Sequence, residues 1–297
     1  MTKTSPLLST RQRARADRAA AHPTLRSRGR WLAAVPLLPA ALIIAVALAA
    51  PAISPYSATE VVAAPFLSPG AEHWFGTDSA GMDVFSRTIT AARVDLLIAT
   101  TVTVLTTAVG ILIGLFAGMG EGSGGLFGAA GRGVARVLDL ADAVPLIVVA
   151  MVAVAFFGAN SVTLVVVLTV ILAPSPARLT RSEVLRIRTE AYLDAARVGG
   201  MSEARLSMRH VLPNASVPAV ENMSVIFGLA IAIAAALGFL GVGIAPPTPE
   251  WGSMVARGTS DLISGRWWAA LFPALMLAAA IASFAYAGGV LVKTLKR

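Results

Sequence analysis

Three groupings of polar residues have types and spacings that invite chemistry. His73, Asp78 and Asp83 put an imidazole and two carboxylates close together in sequence, the donor set from which metal sites are built. Asp139 and Asp142, three apart, place two carboxylates on one side of a helix, as acid–base work requires. Glu221 stands alone beside an apolar run, where a carboxylate is costly and so often functional. Each has a plainer reading. The spacing of the first set suits no standard metal site, and Gly76 and Gly81 around Asp78 predict a turn held by Asx hydrogen bonds. The two aspartates adjoin Arg132 and Arg136, and Arg136 is three residues from Asp139, so an ion pair is expected there. Glu221 lies about one turn inside its apolar run, within reach of interfacial water.

Other chemistries are excluded by residue type. The chain has no cysteine, hence no disulfide, thiolate metal site or cysteine nucleophile. A phosphate-cradling P-loop needs Gly-Lys-Ser/Thr, yet Lys3, Lys293 and Lys296 are the only lysines and none follows a glycine. Neither a G-x-S-x-G elbow nor an H-E-x-x-H helix occurs. The expectation is a chain without catalytic residues, bound metal or bound cofactor.

The elements that carry these residues are membrane helices. Hydrophobic residues make up 56% of the sequence and charged ones 13%, with several apolar runs near the length a bilayer requires. The predicted fold is all-α and polytopic, with six spans over residues 31–53, 96–119, 135–157, 162–177, 217–243 and 268–291. The fourth is short and is expected to continue as helix beyond Pro174 and Pro176, kinked there. Of the 24 lysines and arginines, 20 fall on one side of these spans and three on the other, which puts both termini and the long loop between spans four and five in the cytoplasm. The net charge of +8 therefore reads as orientation, and no basic stripe with interleaved aromatics suggests nucleic acid. Residues 1–30 read as a disordered basic tail drawn to anionic lipid, residues 31–92 as a first span with an outer segment of little regular structure, and residues 93–297 as the main transmembrane domain with a cytoplasmic loop over 178–215. Trp267 and Trp268 are expected at the outer water interface.

Within that loop, Glu190 to Pro213 form a polar, arginine-bearing insert that includes Arg205. Glu190 to Val198 is helix-permissive, Gly199 and Gly200 break it, Ser202 is placed to cap a second helix, and Pro213 to close the unit. Such a helix–joint–helix is a docking surface, and Ala195 and Ala196 are small enough for another backbone to come close. Gly110, Gly114 and Gly118, at four-residue intervals, make a face for backbone-to-backbone packing, either inside the chain or against a partner.

Here the chain resembles a known family. Asp194-Ala195-Ala196, Gly200, His210, Leu212 and Pro213 match the EAA loop of ABC importer permeases, with Asp for Glu and His210 where the broad pattern is aliphatic. The ending His210 to Asn214 is similar to the peptide/nickel branch, the second permease of dipeptide and oligopeptide importers. His73 to Arg87, carrying Gly76, Thr77, Asp78, Gly81, Asp83 and Arg87, resembles an outer signature of that family, with Met82 in place of an arginine. Gly238 to Val255 resembles its segment at the end of span five, although Ala234 stands where relatives often have an acid. The resemblance implies the type I importer membrane fold in a bacterial inner membrane, a sister permease rather than a second copy, two ATPase subunits that carry ATP and Mg, and an extracytoplasmic binding protein. It implies that the loop around Glu190 to Pro213 couples to the ATPase, and that the solute is a peptide, with nickel or another small solute behind it. A gradient-driven transporter would instead need ionisable groups near the bilayer midplane, and an intramembrane enzyme a nucleophile or ligand cluster within the spans.

Overall fold

The computed structural model describes residues 37–295; the basic tail, Trp31 and Lys296 lie outside the described residues. Among the described residues the chain is helical, with one isolated bridge between Thr77 and Asp83. Three helices are long and apolar enough to cross a membrane: α2 (Val84–Glu121), the joined pair α5 (Ser161–Leu172) and α6 (Pro174–Ile187), and α13 (Trp268–Leu295). A fourth span forms among the described residues if the helical stretch Glu203–Glu221, which ends in α10 (Val217–Glu221), is taken together with α11 (Met223–Phe239) across a 46° bend. Two shorter apolar helices, α1 (Leu38–Ile53) and α4 (Leu146–Phe157), occupy the places of predicted spans one and three.

Several departures from the expected layout have local causes. Helix α2 starts twelve residues before the predicted span because Asp83 caps it, its side chain accepting the Ser86 N–H at 2.7 Å. At 38 residues α2 is about 57 Å long, nearly twice the thickness of a hydrocarbon core. The glycine-rich stretch expected as a loop is mostly helix, with α3 (Gly125–Leu140) set against the end of α2 where Gly120 and Gly131 let the backbones meet. Predicted span three is broken: Val144 is extended before Pro145, as the residue preceding a proline favours, so α3 and α4 are separate. Beyond α5 the helix continues through Pro174, as expected, forming one 27-residue helix from Ser161 to Ile187.

Helices α2 and α6 lie against each other through the glycine face. A side chain at Gly110 would meet Pro176, one at Gly114 the Ala177 carbonyl and Thr180, and one at Gly118 Val184. The glycines thus serve packing within the chain. The main core joins α1, α2, α4, α5 and α11, from Val102 and Leu168 to Ile226 and Leu237. Between predicted spans five and six, α12 (Trp251–Leu262) folds back over α2 with Trp251 fully buried.

Candidate functional site

The segment expected to couple, Glu190 to Pro213, opens with two short helices around a glycine joint: α7 (Ala191–Val198) and α8 (Glu203–Leu206). Gly200 has φ +82 and closes α7 in a Schellman arrangement, with Met201 N–H bonded to the Ala196 carbonyl and Gly200 N–H to that of Arg197. Nothing lies near the place of a Gly200 side chain, so a substitution there meets backbone strain and not a clash inside this chain. Ser202 holds the cap position of α8, but its hydroxyl makes no cap bond.

Pro213 does not close the unit. The helix widens into a π turn over Ser207–Val211, with Leu212 N–H reaching back to the Ser207 carbonyl, and then runs through Pro213 as α9 (Leu212–Ala215). A proline removes one donor and crowds the preceding turn, and a π turn gives room for that. Asn214 Nδ2 donates to the His210 carbonyl at 2.7 Å, restoring a bond near the gap.

A small apolar core makes the segment one body with the membrane helices. Leu193 of α7, Leu206 of α8, Val211 and Ala215 pack on Val184 and Ile187 of α6 and on Met119 of α2. Ala196 and Met201 close its edge, whereas Ala195 is exposed. The outward face keeps Val198 90% and Met208 61% exposed, with Tyr192, Asp194, Arg205 and Pro213. Val198 at that exposure, outside the apolar runs, has no partner in the chain to shield it. Arg197 ties the joint: it bonds Asp194 and Glu203, each at 2.8 Å, and these contacts, led by the Glu203 hydrogen bond, raise its pKa. Glu190 pairs with Arg186 at 3.1 Å on the rim of a cleft of about 610 Å³, which Tyr192, Asn214 and Glu221 also line. Glu221 further borders an apolar cleft of about 480 Å³ among α2, α11 and α13, with Thr103, Phe227 and Phe284.

The outer motif is a buried polar cap. His73 Nδ1 lies 2.9 Å from Asp83, whose other oxygen caps α2. The expected Asx turn is present, since Asp78 accepts the N–H groups of Ala80 and Met82, both at 2.9 Å. Gly76 (φ +71) and Gly81 (φ +77) turn the chain against the carbonyls of Leu67 and Ala63, where a side chain would not fit. Thr77 Oγ1 donates to Ala64 O and accepts Leu67 N–H, both at 2.8 Å. Arg87 is fully buried and donates to the Ala58 carbonyl at 2.7 Å and toward Pro247 at 3.4 Å. Trp268 is buried against this cap; its indole N–H binds the Thr77 carbonyl at 3.1 Å. Asp139 pairs with Arg181 at 3.3 Å and not with Arg136.

Sequence reasoning passed over Arg181, Arg188, Asp95, Glu250 and Trp251. Trp251 donates its backbone N–H to Asp95 at 3.0 Å and its indole N–H to the Thr88 carbonyl at 2.9 Å, fastening α12 to α2. Glu250 is 2% exposed and neither oxygen completes a hydrogen bond. Burial pushes its pKa up to about 7, against the pull of nearby amides and of the Arg257 charge. A lone acid three turns into α2 and an acid before a tryptophan were the available signals.

This arrangement, with bundled apolar helices, a folded polar appendage at one end of α2 and a buried polar cap at the other, defines a polytopic membrane protein. Residues 110–297 match the family described as binding-protein-dependent transport system inner membrane component, and the chain belongs to that family. It is 36% identical to a di/tripeptide transport system permease protein, DppC, of Pseudomonas aeruginosa, over 80% of this chain and 78% of that one. It is 33% identical to the probable D,D-dipeptide transport system permease protein DdpC of Escherichia coli K12, over 78% of both. Against the glutathione transport system permease protein GsiD of Pectobacterium atrosepticum the identity is 33%, over 82% of this chain and 79% of the other.

Proposed function

We propose that this chain is the second permease of an ABC importer for dipeptides or short oligopeptides, paired with a sister permease of different sequence. Two ATPase subunits bind ATP and Mg and grip the segment from Glu190 to Pro213, and an extracytoplasmic binding protein delivers the peptide to the outer cap. Both termini lie in the cytoplasm. ATP drives the importer because it binds one state of the assembly better than the other, so closure of the ATPases shifts the helices between inward- and outward-open states. The relatives' names support peptide as the solute.

The observation that carries this reading is the build of the coupling segment. It keeps Leu193 and Leu206 inside for its own cohesion, yet leaves Val198 and Met208 outside with no cover in this chain. Replacing Gly200 by leucine, at φ +82, or Ala196 by glutamate, at the core edge, is expected to abolish ATP-dependent uptake while the chain still inserts. Uptake by both variants at the parental rate in whole-cell assays would remove the coupling role.

A further inference from the structure

The glycine face of α2 does not end at Gly118. One step further, at Gly122, a side chain would fall on the guanidinium of Arg188, which lies across the end of α2. Arg188 Nη1 donates to the Gly118 carbonyl at 2.8 Å and to Met119 at 3.3 Å. These are among the last carbonyls of a helix, which have no partner inside it, and a cation there also opposes the helix dipole. Seven residues earlier on α6, Arg181 Nε meets Glu121 of α2 at 2.6 Å while its Nη1 meets Asp139 of α3 at 3.3 Å. Both arginines are partly shielded, and both sit where the membrane helices hand over to the coupling segment: Glu190, two residues past Arg188, starts α7.

We infer that Arg181 and Arg188 are positioning residues that bind α2 and α6 into a single lever, so that a push on the coupling segment moves both helices together. The inference rests on the docking role proposed above and adds to it the part of the membrane domain that receives the motion. Above the clamp, Gly110, Gly114 and Gly118 already bring α2 and α6 to backbone distance, so the pair is close-packed along its length and pinned at its end. The segment's own core touches the same two helices through Met119 and Val184. Without the arginines, only those apolar contacts and α6 itself would connect the segment to α2. Apolar contacts are non-directional and tolerate sliding, whereas two hydrogen bonds to adjacent carbonyls fix register.

The test uses the assembled importer in proteoliposomes, with its sister permease, both ATPases and the loaded binding protein. The quantity read is peptide carried per ATP hydrolysed. Arg188→Ala and Gly122→Ala, which act on the same contact from two helices, are each expected to lower that ratio about five-fold or more. Arg188→Lys, which can reach one carbonyl as a single donor, should fall between. Gly122 has φ −90, so alanine is compatible with its backbone and the main consequence is displacement of the guanidinium. An unchanged ratio in both alanine variants overturns the clamp. So does failure of both to assemble, which would make the contact a folding requirement. Ala196→Glu separates the two claims: if it stops transport while the clamp variants match the parent, docking stands and the lever falls. If it transports normally, the docking reading itself is lost.

Discussion

In the proposed orientation, the outer polar cap and the inner segment from Glu190 to Pro213 handle charge in opposite ways. Outside, His73, Asp83 and Arg87 are buried and held in single arrangements by backbone carbonyls, amides and one another, and Glu250 is buried beside them with neither oxygen bonded. Inside, Asp194, Arg197, Glu203 and Arg186 are spent on exposed pairs, while the segment's cohesion comes from Leu193, Leu206 and Val211. Buried polar networks resist any change in geometry because each broken bond strands a group without water. A small apolar core with a charged, partly apolar surface can be gripped and moved as a body. The difference suits the proposed role, in which the cap keeps its shape for a delivered solute and the segment from Glu190 to Pro213 receives work.

The largest effect that would expose this contrast is loss of the Asp83 carboxylate. Asp83→Ala removes the cap of α2 and leaves His73, 6% exposed, without its partner. A lost cap and a stranded buried group together are expected to cost about 2 to 4 kcal/mol. The thermal unfolding midpoint of the purified complex would report it. A shift no larger than that of a surface substitution would mean that the cap is not rigid in the sense argued.

Glu250 gives the next largest, and its sign depends on pH. Its folded pKa of about 7 stands above the ordinary 4.5, so between those values the folded chain holds a proton that the unfolded chain has lost. Stability therefore falls as pH rises from about 4.5 to about 7 and levels off above. The full shift corresponds to roughly 3 kcal/mol. Glu250→Gln keeps the shape of the protonated acid, so it should match the parent below about pH 4.5 and exceed it increasingly toward pH 7. A parental stability curve that is flat across that window, or a glutamine variant with the same slope, would show that the carboxylate is not confined as described.

How much of this was legible in the sequence follows from the range of the forces involved. The glycine joint at Gly200, the Asx turn at Asp78 and the continuation of helix past Pro174 are local events, written within a few residues, and could be read directly. The start of α2 is also local, since Asp83 takes the Ser86 N–H, but it lies outside the apolar run that marks the span. Pro145 likewise separates two helices inside a run that reads as one span. Other features depend on partners far along the chain. Trp268 finds the Thr77 carbonyl, Asp95 finds Trp251, and Arg181 leaves its neighbours for Glu121. No periodicity encodes which carbonyl a buried indole will reach. The coupling residues were placed by motif spacing, whereas the core beneath them needed the fold, because Met119 and Leu206 have no reason in sequence to be together.

The smallest effect sharpens the comparison from the inner side. Arg197 bridges α7 and α8 through Asp194 and Glu203, whose side chains are 71% and 60% exposed. Pairs so open to water contribute under about 1 kcal/mol and are screened by salt. Arg197→Ala should therefore leave the unfolding midpoint nearly unchanged, with any difference vanishing at high ionic strength. Gly200 has open space around it, so the joint between the two helices is held by backbone bonds and by this arginine, and its removal is expected to act on the motion of α8 relative to α7. Amide hydrogen exchange over residues 197–206 should then quicken while that of the outer cap stays as it was. If exchange quickened equally at both ends, the inner segment would not be a separate mechanical body, and the contrast between a fixed outer face and a gripped inner one would lose its physical basis.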